Sequence, residues 1–138
     1  MRYLVAVDGY EESDKAVEHA ASNAAAHGGE LTVLHVVPDP EGPESRDDTD
    51  PDARGEAILD RAKSLAADVV ADHEADVSIT TDTRTGRPSS VIAGYAEEID
   101  ADGIYLGHRV RPRQREEAVG SVAKSILDTA VVPVTIVP

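Results

Sequence analysis

The sequence predicts an open, doubly wound α/β fold, and three observations predict it. Short apolar runs alternate with stretches of helical periodicity along the whole chain. The runs are almost continuously apolar rather than alternating, as strands buried on both faces of a parallel sheet must be. Five such runs and four helical stretches in 138 residues are too few for a closed barrel, which takes eight strand–helix units. The length suits one domain, so residues 1–138 are read as a single unit with helices on both faces of the sheet.

The elements follow in order. Residues 3–7 (YLVAV) form the first strand, closed by Asp8-Gly9. Ala16, Val17, Ala20, Ala21 and Ala24 then share one helical face that ends at Gly28-Gly29. Residues 31–37 make the second strand, stopped by Pro38. Residues 38–52 (PDPEGPESRDDTDPD) hold four prolines, no large apolar side chain and a net charge of -6, which predicts a long, exposed, flexible acidic loop. Asp50 suits the cap of the next helix and Pro51 its first turn. That second helix places Ala57, Ile58, Ala62, Leu65, Ala66 and Val69 on one side. Residues 77–83 alternate weakly, as an edge strand does. After the turn Gly86-Arg87-Pro88, a third helix carries Val91, Ile92, Tyr95, Ala96 and Ile99. Residues 103–106 form a short buried strand. Val119, Val122, Ala123, Ile126, Leu127 and Ala130 stripe a fourth helix, and residues 134–137 close the sheet.

Composition narrows the function. Thirteen Lys and Arg face 27 Asp and Glu, a formal net charge of -14, which repels nucleic-acid backbones. The short carboxylates repel one another in a compact state, and molar salt, with a Debye length of about 3 Å, screens that repulsion. The balance predicts adaptation to a salty cytoplasm, as in a halophilic organism. Absence of cysteine removes disulfides, thiolate chemistry and Cys-based zinc sites. No apolar run reaches the roughly 18 residues of a membrane span and no leader pattern opens the chain, so the expected location is cytoplasmic, away from any membrane. The five histidines lack ligand spacing, and no metal site is expected; His35 alternates into a strand and reads as a core residue with a hydrogen-bond partner. There is no G-x-S-x-G elbow and no Walker A loop, so no catalytic residue is assigned and no vigorous enzyme activity is expected.

In an open α/β sheet, ligands bind beyond the carboxyl ends of the strands. That edge holds Asp8-Gly9, Val36-Val37 and Gly107. From Gly107 the chain reads GHRVRPRQREEAVGS. Its end, Gly120-Ser121, stands at the start of the fourth helix, where backbone N–H groups and a hydroxyl suit an anion. Arg109, Arg111, Arg113 and Arg115 gather four of the thirteen cations into seven residues, and guanidinium forks suit phosphate oxygens. His108, beside Gly107, is a weaker candidate contact. The same island also suits an acidic partner or the chain's own carboxylates.

Taken together, the strand ending Val5-Ala6-Val7-Asp8-Gly9, the strand ending His35-Val36-Val37, the Gly86-Arg87-Pro88 turn, and the Gly107-x2-Val110-x9-Gly120-Ser121 spacing before Pro133-Val134 resemble the universal stress protein (UspA-like) family over the whole chain. The resemblance implies sheet order 3-2-1-4-5, dimerisation through the last strand and, in one branch, ATP at the carboxyl edge with or without Mg²⁺. Carried onto this chain, it implies Asp8 at the ribose, Ala6 and Val7 beside the adenine, and Val36 bonding the adenine through its backbone. It also implies Gly107, Gly120, Ser121 and Val122 around the phosphates. Val110 departs from the family's ATP-binding pattern, which has glycine there: a β-branched residue resists the positive φ and close approach that glycine permits.

With that strand order, Val134-Thr135-Ile136-Val137 is an edge strand without a protective charge, and it invites antiparallel pairing with a second copy through Val134 and Ile136. Two functions follow as expectations. The first is a dimeric stress-response protein that binds an adenine nucleotide and hydrolyses it slowly at most. The alternative is a dimeric interaction module of the same fold that does not bind ATP.

Overall fold

The computed structural model describes residues 1–8, 11–37, 51–107, 126 and 132–137. Its elements are β1 (Arg2–Val7), α1 (Glu11–His27), β2 (Glu30–Val37), α2 (Pro51–Asp72), β3 (Ser78–Thr85), α3 (Pro88–Glu98), β4 (Gly103–Gly107) and β5 (Val134–Val137). The strands form one parallel sheet in the order β3-β2-β1-β4-β5. This is the expected doubly wound sheet, with β1 at its centre and β3 and β5 at its edges.

The near-continuous apolar strands serve two cores at once, because successive side chains point to opposite faces. On one face Val5, Val7, Leu31 and Val33 pack with Val17, Ala20, Ala21 and Ala24 of α1 and Leu59, Ala62 and Ala66 of α2. On the other, Leu4, Leu34, Ile104 and Leu106 pack with Ile92, Tyr95 and Ala96 of α3 and with Ile126. Leu4, Leu34 and Ile104 are fully buried, and truncating such a side chain to Ala costs about 2–5 kcal/mol. The small side chains of α1 let it lie close to the sheet: Ala16, Ala20, Ala21 and Ala24 are all fully buried.

Two expectations need correction. The acidic loop's bounds overrun α2 by two residues, 51 and 52, whereas Pro51 opens the helix as its first-turn reading expects. The remainder of that loop, 38–50 with the proposed cap Asp50, lies outside the described residues. The stripe of α2 also needs correction at one position: Ala57 is exposed, while Ala62 and Ala66 are buried, Ile58, Leu65 and Val69 pack against the same core, and Gly55, Leu59 and Val70 are buried with them. In an alanine-rich helix many faces look equally apolar, and the heavier Leu59 and Val70 decide which one turns inward. Of the expected fourth helix, Ile126 is described: it is helical and fully buried.

Candidate site at the carboxyl edge of the sheet

Strand order reverses at β1. The chain builds outward through β2 to β3 on one side, then returns to add β4 and β5 on the other. The crevice between the ends of β1 and β4 is therefore the switch point at which open sheets bind ligands. Asp8 follows β1 there and is exposed, and Gly107 ends β4, two residues beyond the Val5–Tyr105 pair.

The first turn of α1 crosses this crevice. Ser13 is the one buried polar side chain among the described residues, 4% exposed, and its Oγ accepts a long 3.5 Å hydrogen bond from the Asp8 N–H. The helix start is held against the end of β1. It is also pressed against β4: a methyl group at position 107 would stand 2.5 Å from the Glu12 carbonyl oxygen and 2.8 Å from the Ser13 nitrogen. Gly107 is thus demanded by helix–strand packing, whatever binds beside it.

Ala6 and Val7 diverge. Val7 is buried in the α1 face, so only its backbone can reach the edge, and its carbonyl oxygen accepts a 3.0 Å hydrogen bond from His35 Nδ1–H. A carbonyl cannot donate, so the proton stands on Nδ1. His35 is half-buried beneath α2 at Gly55. Ala6 and Val36, by contrast, are half-buried and belong to the α3 face, where they leave a small apolar floor at the strand ends. The turn before α3 closes this floor on the β3 side, with the Gly86 N–H donating to the Val37 carbonyl at 3.0 Å. Next to it, Arg87 has extended backbone (φ -74°, ψ 119°) and Pro88 opens α3.

A polar network sets the position of α3. Tyr95 donates its hydroxyl to Asp82 of β3 at 2.9 Å. Arg84 lies over the Tyr95 ring, 4.9 Å from its centroid, and reaches Asp82 and Glu98, each at 3.3 Å. Burial, and then the hydrogen bond to Asp82, push the Tyr95 hydroxyl up to about 12.

Of the residues singled out from sequence, Ala6, Val7, Asp8, Val36 and Gly107 converge on this edge. His108, Arg109, Val110, Gly120, Ser121 and Val122 lie outside the described residues. Ser13 and Arg87 are absent from the sequence-derived set. Ser13 continues the Ala16–Val17–Ala20–Ala24 stripe one turn toward the helix start, and a polar residue on so apolar a face was the available signal. Among the described residues, no cluster of three His, Asp or Glu is placed to hold a metal ion, and no helix is long and apolar enough to cross a membrane.

The model of the universal stress protein family matches residues 1–138. The chain belongs to this family. It is 30% identical to universal stress protein YxiE of Bacillus subtilis over 99% of this chain and 97% of that protein. Among solved structures, a universal stress protein in complex with cAMP superposes with a TM-score of 0.78 at 23% identity, covering 100% of this chain and 97% of the other. The Archaeoglobus fulgidus universal stress protein in complex with dAMP gives a TM-score of 0.66 at 24% identity, covering 100% and 98%. The five-stranded order seen here is that of a universal stress protein fold.

Proposed function

We propose that this universal stress protein binds an adenine nucleotide in the crevice between the ends of β1 and β4, and that it acts as a cytoplasmic homodimer whose ligand state biases its contacts with partners. The observation that carries the reading is the conjunction at one switch point of an exposed carboxylate, Asp8, with an apolar floor, Ala6 and Val36. In this reading the base lies on the floor and bonds the Val36 backbone, with the Val7 backbone alongside. Asp8 takes the ribose hydroxyls. Gly107, Gly120, Ser121 and Val122 surround the phosphates, aided by His108 and by Arg109, whose guanidinium offsets the unfavourable Val110. The family relatives in complex with cAMP and dAMP support an adenosine-type ligand, and ATP with Mg²⁺ is its fullest form. In this reading any hydrolysis is slow.

Two observations favour the second reading, a dimeric interaction module without nucleotide. Val110 replaces a glycine, and Gly107 is accounted for by the α1 backbone alone. Extraction of small molecules from protein purified in high KCl, followed by calorimetric titration with AMP and with ATP and Mg²⁺, separates the two. A carried adenine nucleotide or saturable binding supports the first reading. Absence of both a carried nucleotide and binding heat overturns it.

A further inference from the structure

We infer that Arg87 is the base-facing residue of this site, its guanidinium covering the purine ring that lies on Ala6 and Val36; the inference rests on the nucleotide reading above. In a chain of net charge -14, a guanidinium should find a carboxylate easily. Arg2 pairs with Glu30 at 2.9 Å, Arg61 with Asp14 at 2.5 Å, and Arg84 with both Asp82 and Glu98. Arg54 also has its interaction partner. Its backbone carbonyl accepts from the Val91 N–H at 2.9 Å, but the guanidinium of Arg87, alone among those of the five described arginines, makes no ion pair or hydrogen bond with a described residue, although it is exposed and carboxylates outnumber cations two to one in the chain.

Its place in the fold explains what it is kept for. Arg87 follows the Gly86 N–H that is bonded to the Val37 carbonyl, so it stands next to the end of β2, one residue beyond Val36 in that strand. It opens the helix that covers the same face on which Ala6 and Val36 form the floor. Pro88 in the first helical position holds the backbone at this point, and the Tyr95–Asp82–Arg84 network fixes α3 on β3. A flat ring lying on the two apolar side chains has one face covered by the protein. A planar, weakly hydrated guanidinium is suited to the other, where it stacks on the ring and keeps its N–H groups toward water or the ring's acceptor nitrogens.

The test is a set of calorimetric titrations of wild type, Arg87→Ala and Arg87→Lys with adenosine, AMP and ATP in high KCl. Arg87→Ala should weaken all three by a similar factor, about tenfold, because stacking on the base is common to them. Arg87→Lys should recover only part of the loss, since an ammonium does not stack as a plane. Melting curves of the variants should match wild type, since the side chain holds nothing together in the fold. A loss that grows from adenosine to ATP would assign Arg87 to phosphate and overturn the inference, as would unchanged affinity for all three. Wild type that binds none of the three brings down the nucleotide reading itself, an outcome distinct from either.

Discussion

Helices α1, α2 and α3 finish on the same turn with different residues. In each, an N–H two residues past the cap returns to a carbonyl of the last turn: Gly29 to Ala24 at 2.8 Å, Ala75 to Val70 at 3.2 Å, Ala101 to Ala96 at 2.9 Å. The turn needs a left-handed residue, and Gly28 (φ 64°), Glu74 (φ 53°) and Asp100 (φ 54°) supply it. A glutamate in this conformation costs roughly 1–2 kcal/mol, and its charge also opposes the helix dipole. Glu74→Gly should therefore raise unfolding stability by about 1 kcal/mol in urea titrations, even though glycine is the more flexible residue. The other residue-scale prediction concerns Tyr95. Its hydroxyl titrates at about 12 in the folded protein against 10 when free, so the folded state holds the proton more tightly. The resulting stability is fully present below pH 10 and is lost as pH rises toward 12. Thermal melts across that window should show the decline, and Tyr95→Phe should make it shallower. Tyr3, pushed up by burial and then by Tyr105 and Asp102, keeps a residual slope.

At the scale of elements, the contact between α1 and β4 is the tightest constraint on the site. Gly107→Ala forces either the helix start or the strand end to move, an overpacking cost of about 1–3 kcal/mol. The loss should appear in the nucleotide-free protein; a variant as stable as wild type would mean the helix start yields without cost. The two sheet edges differ in kind. β3 carries Asp82 and Arg84 and a run of threonines, the polar guard that discourages pairing. β5 is Val134-Thr135-Ile136-Val137, with no charge. Antiparallel pairing through β5 is the dimer proposed here, and Ile136→Lys should convert it to monomers in sedimentation velocity. An unchanged profile would point to another interface. Much at this scale was legible in advance. Strand cores and helix stripes came from periodicity, because burial on both faces leaves a continuous apolar run and burial on one face leaves a stripe. The face of α2 was misjudged at Ala57, since alanine is compatible with either environment and only packing chose between them.

For the whole molecule, charge is the dominant property. With -14 spread over 138 residues, the compact state gains stability as counterions screen it. Denaturation midpoints should rise steeply from dilute buffer to molar KCl; insensitivity to salt would remove the halophilic reading. Sequence by itself determined the doubly wound class, the strand and helix succession, the acidic character, and the edge of the sheet at which to look for a ligand. Each of these depends on local pattern or on totals, which the linear chain carries in full. Tertiary structure decided what Gly107 is for, where Val7 points, that Ser13 is buried between two strand ends, and that Arg87, next to the Gly86–Val37 hydrogen bond, has no carboxylate partner among the described residues. Those depend on which distant segments meet. Position 107 meets residues 12 and 13, and a contact between segments so far apart in the chain leaves no periodic trace for sequence to display.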